Sequence, residues 1–313
     1  MTGTTVTGKH YSGRFAPSPT GPLHFGSLLA AVASYLRARQ QSGAWLVRIE
    51  DVDPPREQPG AGDAIVRALD AYGFEWDGEI IWQSVSKPQH DDAVETLLKE
   101  EMAYPCRCSR RDLADAPRSP LGIIYPGTCR NGCDAEETAI RVRTSDDAVS
   151  FDDLLQGTQS QRLESESGDF IIRRRDGLIA YHLAVVVDDH LQGITEIVRG
   201  IDLMDSTPRQ IWLQQLLGFS TPGYMHIPVA THPDGQKLSK LTGAAAIPLR
   251  GKRRVLVAAL DALMLQPPED LAAYSLSDIW AWAINNWQIE PLVLRTAVPV
   301  AANSMAKLEN PVS

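Results

Sequence analysis

The chain has 313 residues and a formal net charge of -9, with 43% hydrophobic and 22% charged residues. That length and composition fit a soluble globular protein with a substantial core, built as one large domain or as a main domain with insertions. No apolar run reaches the roughly 18 to 20 residues needed to span a bilayer, residues 1–13 lack the apolar stretch of a signal peptide, and the acidic balance argues against bulk attraction to nucleic acid, so a cytoplasmic enzyme with no membrane partner is expected.

The first informative stretch runs from Arg14 to Ser27. It reads as a strand end, a turn stiffened by Pro17, Pro19 and Pro22, and a helix that starts near Ser27. Gly21 and Gly26 permit backbone geometry or a close approach that a side chain would block. The free N–H groups and positive dipole end of such a helix suit a phosphate. His24 is placed to donate to a phosphate or ribose oxygen, and Gly26 to admit an adenine ring.

Helical periodicity continues through Leu28, Ala31, Val32, Tyr35 and Leu36, and residues 44–50 read as a strand emptying into Asp51-Val52-Asp53-Pro54. Strand, helix and strand at these lengths make a βαβ unit and hence a parallel sheet, with ligands at the carboxyl ends of its strands. Residues 61–72 and 89–103 read as amphipathic helices, the second turning Val94, Leu97, Leu98 and Met102 inward. All four cysteines, Cys106, Cys108, Cys129 and Cys133, then fall within 28 residues of low periodicity. Such clustering in a large cytosolic chain favours a metal over a disulfide. Arg107, Arg110, Arg111, Arg118 and Arg130 form a basic cluster in and around this stretch, and Arg250, Lys252, Arg253 and Arg254 form a second.

Residues 139–143 alternate as a strand, and residues 170–173 and 178–181 flank Arg175-Asp176-Gly177 as a hairpin. The apolar run Leu183 to Val187 reads as a strand of the resumed main sheet, with Asp188, Asp189 and His190 at its end. Residues 194–200 form a further strand, and Thr207-Pro208 opens a helix that runs to Gly218. Lys237-Leu238-Ser239-Lys240 follows, and residues 251–290 read as helical, with Trp280, Trp282 and Trp287 as core. No hydrolase triad stands at diagnostic spacing.

His24-Phe25-Gly26-Ser27, set in the long stretch from Arg14, resembles the first signature of class I aminoacyl-tRNA synthetases in its glutamyl and glutaminyl form. Lys237 to Lys240 resembles the second, with Leu241 in place of the family's final serine. The resemblance covers residues 11–245 and extends loosely to about 290. It implies an α/β fold: a Rossmann-type parallel-sheet catalytic domain in two halves (11–103 and 181–245), an inserted subdomain with a zinc site (104–180), and a helical C-terminal region (246–300). By the same resemblance His24, Lys237 and Lys240 are catalytic, and His24, Gly26, Lys237, Ser239 and Lys240 bind ATP, with Mg²⁺. Arg14 and Arg199 are the cations for the glutamate side chain, Ala16 and Ser18 line its pocket, Glu50 faces its ammonium, and Tyr181 borders the site. Glutamyl-tRNA synthetases of the discriminating type have Asn four residues after this tyrosine, where this chain has Val185.

The pattern Cys106, Cys108, Tyr125, Cys129 resembles that of glutamyl-queuosine tRNA(Asp) synthetases, which hold a structural zinc with three cysteines and a tyrosine. Cys133 is the alternative fourth ligand, and the sequence leaves the two open. A chain that stops at 313 has no room for the large helical anticodon-binding region of ordinary glutamyl-tRNA synthetases, a further point of resemblance. The implied enzyme is a monomer that uses L-glutamate, ATP and queuosine-modified tRNA(Asp), with one zinc per chain. Its activity is ATP-dependent formation of glutamyl-adenylate and transfer to the cyclopentenediol of the wobble base. Arg107, Arg110, Arg111 and Arg130 are then candidates for RNA phosphates. The alternatives are a different acyl acceptor, or a catalytically silent nucleotide- or RNA-binding paralogue.

Overall fold

The computed structural model describes residues 10–232, 235 and 246–300. Its first half is β1 (Ser12–Phe15), α1 (Phe25–Gln40), β2 (Ala44–Ile49), α2 (Ala61–Ala71) and β3 (Ile81–Trp82). β1 and β2 pair in parallel from Ser12↔Ala44 to Phe15↔Val47, and β3 adds to β2 at Arg48↔Ile81. The expected βαβ unit is therefore present, and the turn after β1 lies at the carboxyl end of the sheet beside Glu50. α1 begins two residues before Ser27, because His24 already caps it. Its apolar residues Leu28, Leu29, Val32 and Leu36 are almost wholly buried.

One aromatic cluster joins this unit to the C-terminal helices α7 (Lys252–Ala262) and α8 (Leu276–Asn286), numbered here as the seventh and eighth of the chain. Trp45 stacks on Phe74 at 5.3 Å, and Tyr35 packs edge-on against Trp280 at 4.8 Å. The indole N–H groups of Trp45 and Trp280 are satisfied, Trp45 donating to Ser34 Oγ (2.9 Å) and Trp280 to the Tyr72 carbonyl (3.0 Å), whereas that of buried Trp287 has no partner among the described residues. Trp280 and Trp287 are thus core, as expected, with Trp282 packed partly buried beside them.

The middle of the chain comprises α3 (Lys87–Lys99), β4 (Ala103–Cys106), β5 (Arg118–Ser119), β6 (Gly122–Ile123), β7 (Ala139–Val142), β8 (Ala148–Asp153), β9 (Gly157–Arg162), α4 (Leu163–Glu166) and β10 (Phe170–Arg173). β10, β7 and β4 form an antiparallel sheet, and β5 and β6 a small hairpin. Met102, expected to face inward, is 41% exposed. α3 ends at Lys99 and Glu101 takes a positive φ of 56°, which throws Met102 out of helical register. The second arm of the expected hairpin reduces to a single bridge, Arg173↔Ile179.

The remainder is α5 (Tyr181–Leu191), β11 (Glu196–Gly200), α6 (Thr207–Leu216), β12 (Gly223–Ile227), β13 (Val229–Thr231), α7, α8 and β14 (Ala297–Pro299). Residues 183–187, expected as a strand, are the body of α5. Leu183 to Val187 are all no more than 3% exposed, and a helix buried on every side shows no amphipathic period to separate it from a strand. β11 pairs in parallel with β12, and β8 joins β12 on its other side, so the order is β11-β12-β8-β9. The two halves of the sheet adjoin where Thr195 N–H donates to the Ser12 carbonyl at 2.9 Å. That junction brings the ends of β1 and β11 together. Among the described residues no helix is long and apolar enough to cross a membrane.

Candidate active site and metal centre

Five buried ionic side chains meet where β1, β2 and α5 converge. Arg14 grips Asp189 with two bonds, Nε to Oδ1 at 3.0 Å and Nη2 to Oδ2 at 3.2 Å. Arg48, fully buried, reaches Asp189 Oδ1 at 2.9 Å, Glu50 Oε1 at 3.4 Å and Asp188 Oδ2 at 3.9 Å. Such charges persist away from water only when mutually paired. Burial pushes Asp189 upward, but Arg14 and Arg48 outweigh it and hold the carboxyl below its ordinary range. Burial also pushes Glu50 upward, and there it outweighs the pull of Arg48 and Arg14 and leaves the carboxyl above its ordinary range. An incoming cation would therefore favour the ionised form of Glu50. Asp189, which holds Arg14, and Arg48, which shares that carboxylate, are not among the site residues expected from the sequence.

Arg199, on β11, is 5% exposed. Its Nε donates to His226 Nε2 at 3.0 Å and its Nη2 to Thr207 Oγ1 at 2.8 Å. Its Nη1 is buried and has no hydrogen-bond partner among the described residues, and Gln210 Nε2 shares that condition. Tyr181 is the first residue of α5, and burial raises its hydroxyl pKa, with the charges of Arg199, Glu50 and Arg14 also acting on it. The structure thus brings Arg14, Glu50, Tyr181 and Arg199 to one place. Ala16 is half-buried and Ser18 exposed on the turn that follows β1. Val185 lies one helical turn beyond Tyr181 and is 1% exposed.

His24 caps α1, its Nδ1 accepting from the Ser27 N–H at 3.1 Å, and Ser27 Oγ lies 2.9 Å from Nε2. A Cβ on Gly26 would come within 3.3 Å of that imidazole, so the glycine makes room for the histidine ring itself. Lys237, Ser239 and Lys240 lie outside the described residues. The chain after them returns to this turn, since Ala246 bridges to His24 and Ile247 N–H donates to the Leu23 carbonyl at 2.8 Å.

The second constellation lies beyond β4. The sulfurs of Cys106, Cys108 and Cys129 are all within 4.8 Å of one another. The Tyr125 hydroxyl oxygen is 3.3 Å from Cys106 Sγ and 3.7 Å from Cys108 Sγ, while Cys108 and Cys129 are 3.6 Å apart. A tetrahedral ion with metal–sulfur bonds near 2.3 Å and a metal–oxygen bond near 2.0 Å has edges of about 3.8 and 3.5 Å. The donor set fits such an ion. Cys133 is outside the three-sulfur group and sits against the Pro105 carbonyl at 3.3 Å. The cluster's own core is small, five buried residues: Tyr104, Cys106, Leu113, Tyr125 and Cys129.

Two features hold Tyr125 there. Gly168, at φ 68°, lets the chains approach so closely that a Cβ would meet the Tyr125 backbone nitrogen at 2.4 Å. Arg141 lies over the phenol ring at 3.9 Å and donates through Nε to Cys106 Sγ at 3.3 Å. Arg141 was not anticipated, yet it places a buried cation where thiolate charge would gather. Although burial pushes the Cys129 thiol up, the Arg107 backbone and the Tyr125 hydroxyl overcome it and bring the thiol down to about 7.

The expected RNA-facing arginines divide. Arg107, Arg110 and Arg111 are exposed, as is Arg118 of the same basic cluster. Arg130 instead pairs with Asp169 (2.9 Å) and Glu164 (2.7 Å), and so ties the subdomain together. In the second basic group, Arg253 Nη1 donates to the carbonyls of Ala273 (3.2 Å) and Tyr274 (2.9 Å).

The family described as "tRNA synthetases class I (E and Q), catalytic domain" matches residues 11–249. The Glutamyl-Q tRNA(Asp) synthetase of Dechloromonas aromatica is 50% identical over 297 residues, covering 93% of this chain and 99% of that protein. That of Pseudomonas fluorescens is 50% identical over 299 residues, covering 95% and 99%. Among solved structures, glutamate-tRNA synthetase from Elizabethkingia anophelis superposes with a TM-score of 0.77 over 97% of this chain and 70% of its own, at 22% identity, which establishes the fold. The likeness to the two named proteins runs through both halves of the sheet and the cysteine subdomain alike, and on that ground the chain belongs to the glutamyl-Q tRNA(Asp) synthetase family of class I (E and Q) tRNA synthetases.

Proposed function

We propose that this chain activates L-glutamate with ATP and transfers the glutamyl group to the cyclopentenediol of queuosine at the wobble position of tRNA(Asp). One observation carries the amino-acid assignment. The buried Arg199 Nη1 has no partner among the described residues, a condition that costs about 1–3 kcal/mol and that a bound carboxylate relieves. Arginine suits this task because its planar fork presents donors in the geometry a carboxylate accepts. Glu50, raised by burial, complements the α-ammonium, and Tyr181 closes the pocket between the two ends. Arg14, whose Nε and Nη2 are held by Asp189, adds positive potential to the side-chain end.

In the first step an oxygen of the glutamate α-carboxylate attacks the ATP α-phosphorus and pyrophosphate departs. In the second a queuosine hydroxyl attacks the activated carbonyl, its proton is lost, and AMP departs. Neither step needs a protein nucleophile; the chain supplies alignment and charge stabilisation. His24 at the α1 N-terminus faces the phosphates. Lys237 and Lys240 complete the charge on the departing pyrophosphate. Mg²⁺ accompanies ATP. In the subdomain, Cys106, Cys108, Tyr125 and Cys129 would hold a zinc ion that stabilises the fold and takes no part in the chemistry, since four protein ligands leave no open position. The exposed Arg107, Arg110 and Arg111 would meet RNA phosphates.

Glutamate-dependent ATP–pyrophosphate exchange tests the first step. Exchange is expected with glutamate and without any tRNA; exchange supported equally by glutamine or aspartate would contradict the pocket assignment.

A further inference from the structure

The cation assigned to glutamate is itself held by a chain of hydrogen bonds that crosses three neighbouring strands. Arg199 on β11 and His226 on β12 are register partners, and Asp153 ends β8 on the far side of β12. The side chains of His226 and Asp153 are both fully buried, and His226 Nδ1 lies 2.6 Å from Asp153 Oδ2. Because a guanidinium only donates, the 3.0 Å contact from Arg199 Nε makes His226 Nε2 the acceptor. The ring proton therefore sits on Nδ1 and is donated to Asp153. Thr207 closes the ring, accepting from Arg199 Nη2 at 2.8 Å and lying 3.2 Å from His226 Nε2.

Asp153 is equally committed. Its Oδ1 accepts from the backbone N–H groups of Leu155 (3.0 Å) and Gln156 (2.9 Å), and its Oδ2 also accepts from the His226 N–H at 3.1 Å. With two donors already on each oxygen, this carboxylate stays ionised, and the imidazole has one orientation and one tautomer. Phe151 and Tyr224 flank the ring at 6.4 and 6.0 Å and fix its plane. Nε and Nη2 of Arg199 are thereby occupied, and Nη1 is the nitrogen turned free of the network.

We propose that Asp153 and His226 are positioning residues for the amino-acid subsite: Asp153 fixes the His226 tautomer, and His226 aims the Arg199 guanidinium at the glutamate side chain. The inference rests on the assignment of Arg199 to that side chain. Neither residue touches substrate; both act through Arg199. Asp153→Asn is nearly isosteric but places an amide N–H₂ where Oδ2 was, so Nδ1 must accept and the ring proton moves to Nε2. Two donors, Nε2–H and the Arg199 Nε–H, then face each other, and the guanidinium turns away.

The test combines kinetics with a direct view of the ring. ¹⁵N NMR of the imidazole in the wild-type protein should show His226 protonated at Nδ1 and unprotonated at Nε2 at neutral pH. An Nε2–H tautomer or an imidazolium would overturn the proposal, whatever the variants do. In pyrophosphate exchange, Asp153→Asn should raise the glutamate KM by about tenfold or more, the range of one charge-assisted hydrogen bond, with the ATP KM unchanged. His226→Gln, whose amide can accept from Arg199 and donate to Asp153, should keep a lower glutamate KM than His226→Leu, and this pair carries the kinetic arm if Asp153→Asn does not fold. Equal losses for glutamate and ATP, or no difference between the Gln and Leu variants, would reduce the network to a structural one and overturn the proposal. Arg199→Ala separates the two claims. If it leaves the glutamate KM unchanged, the pocket assignment fails; if it raises that KM while the Asp153 and His226 variants do not, only the positioning role fails.

Discussion

Arg199→Ala is expected to reduce glutamate-dependent pyrophosphate exchange by about a hundredfold or more, within the 2–5 kcal/mol that truncating one partner of a buried charge pair costs. The side chain is 5% exposed, and one of its three nitrogens has no partner among the described residues, so its removal leaves the substrate carboxylate desolvated and unpaired. Arg199→Lys should lose nearly as much. A single ammonium cannot hold His226, Thr207 and a substrate oxygen together in one plane. Exchange kinetics with circular dichroism as the control for folding measures this, and unchanged exchange in the alanine variant would remove Arg199 from the pocket.

The second large effect is expected in the cysteine subdomain. Five buried residues are too few to order a segment with so little regular structure, and structural zinc sites contribute folding free energy directly. Metal analysis should find about one zinc per chain, as a single tetrahedral site requires. Chelation or Cys106→Ser should abolish hydrogen-exchange protection over residues 104–133 while β1, α1 and β2 keep theirs. Tyr125→Phe should weaken metal retention and Cys133→Ser should not, because the Tyr125 oxygen lies among the sulfurs and Cys133 points at the Pro105 carbonyl. The reverse order would make Cys133 the fourth ligand. Protection that survives metal removal would assign the stability of this segment to its packing alone.

Much of the fold was legible because local pattern and tertiary demand agree there. α1 and β2 have strong apolar runs, β1 ends at an unmistakable proline-rich break, and α6 has its first-turn proline. The error at α5 has a physical cause: a helix enclosed on every side presents five consecutive apolar residues, the same signature as a buried strand. The hairpin of β8 and β9 escaped notice because Gly157-Thr-Gln-Ser-Gln-Arg162 is almost wholly polar. In the site, Arg14, Glu50, Tyr181 and Arg199 could be named in advance from the resemblance, and the structure gathers them. Their partners could not. Asp189, Asp153 and His226 come from elements up to 175 residues away in sequence, and nothing local distinguishes a carboxylate that orders an arginine from one that faces water. Arg141 carried a weak signal, an arginine at an inward position of the alternating strand β7. The Lys237–Lys240 motif was equally plain in the sequence, though it lies outside the described residues.

The identity of the acyl acceptor defines the proposed enzyme. The most direct measurement is transfer of labelled glutamate, with ATP, to purified tRNA(Asp) with and without queuosine, followed by periodate treatment of the 3′ end. Label confined to the queuosine-bearing RNA and insensitive to the state of its 3′ terminus is the predicted result. Pyrophosphate exchange without label on that RNA, or label lost once the 3′ ribose is oxidised beforehand, would contradict it.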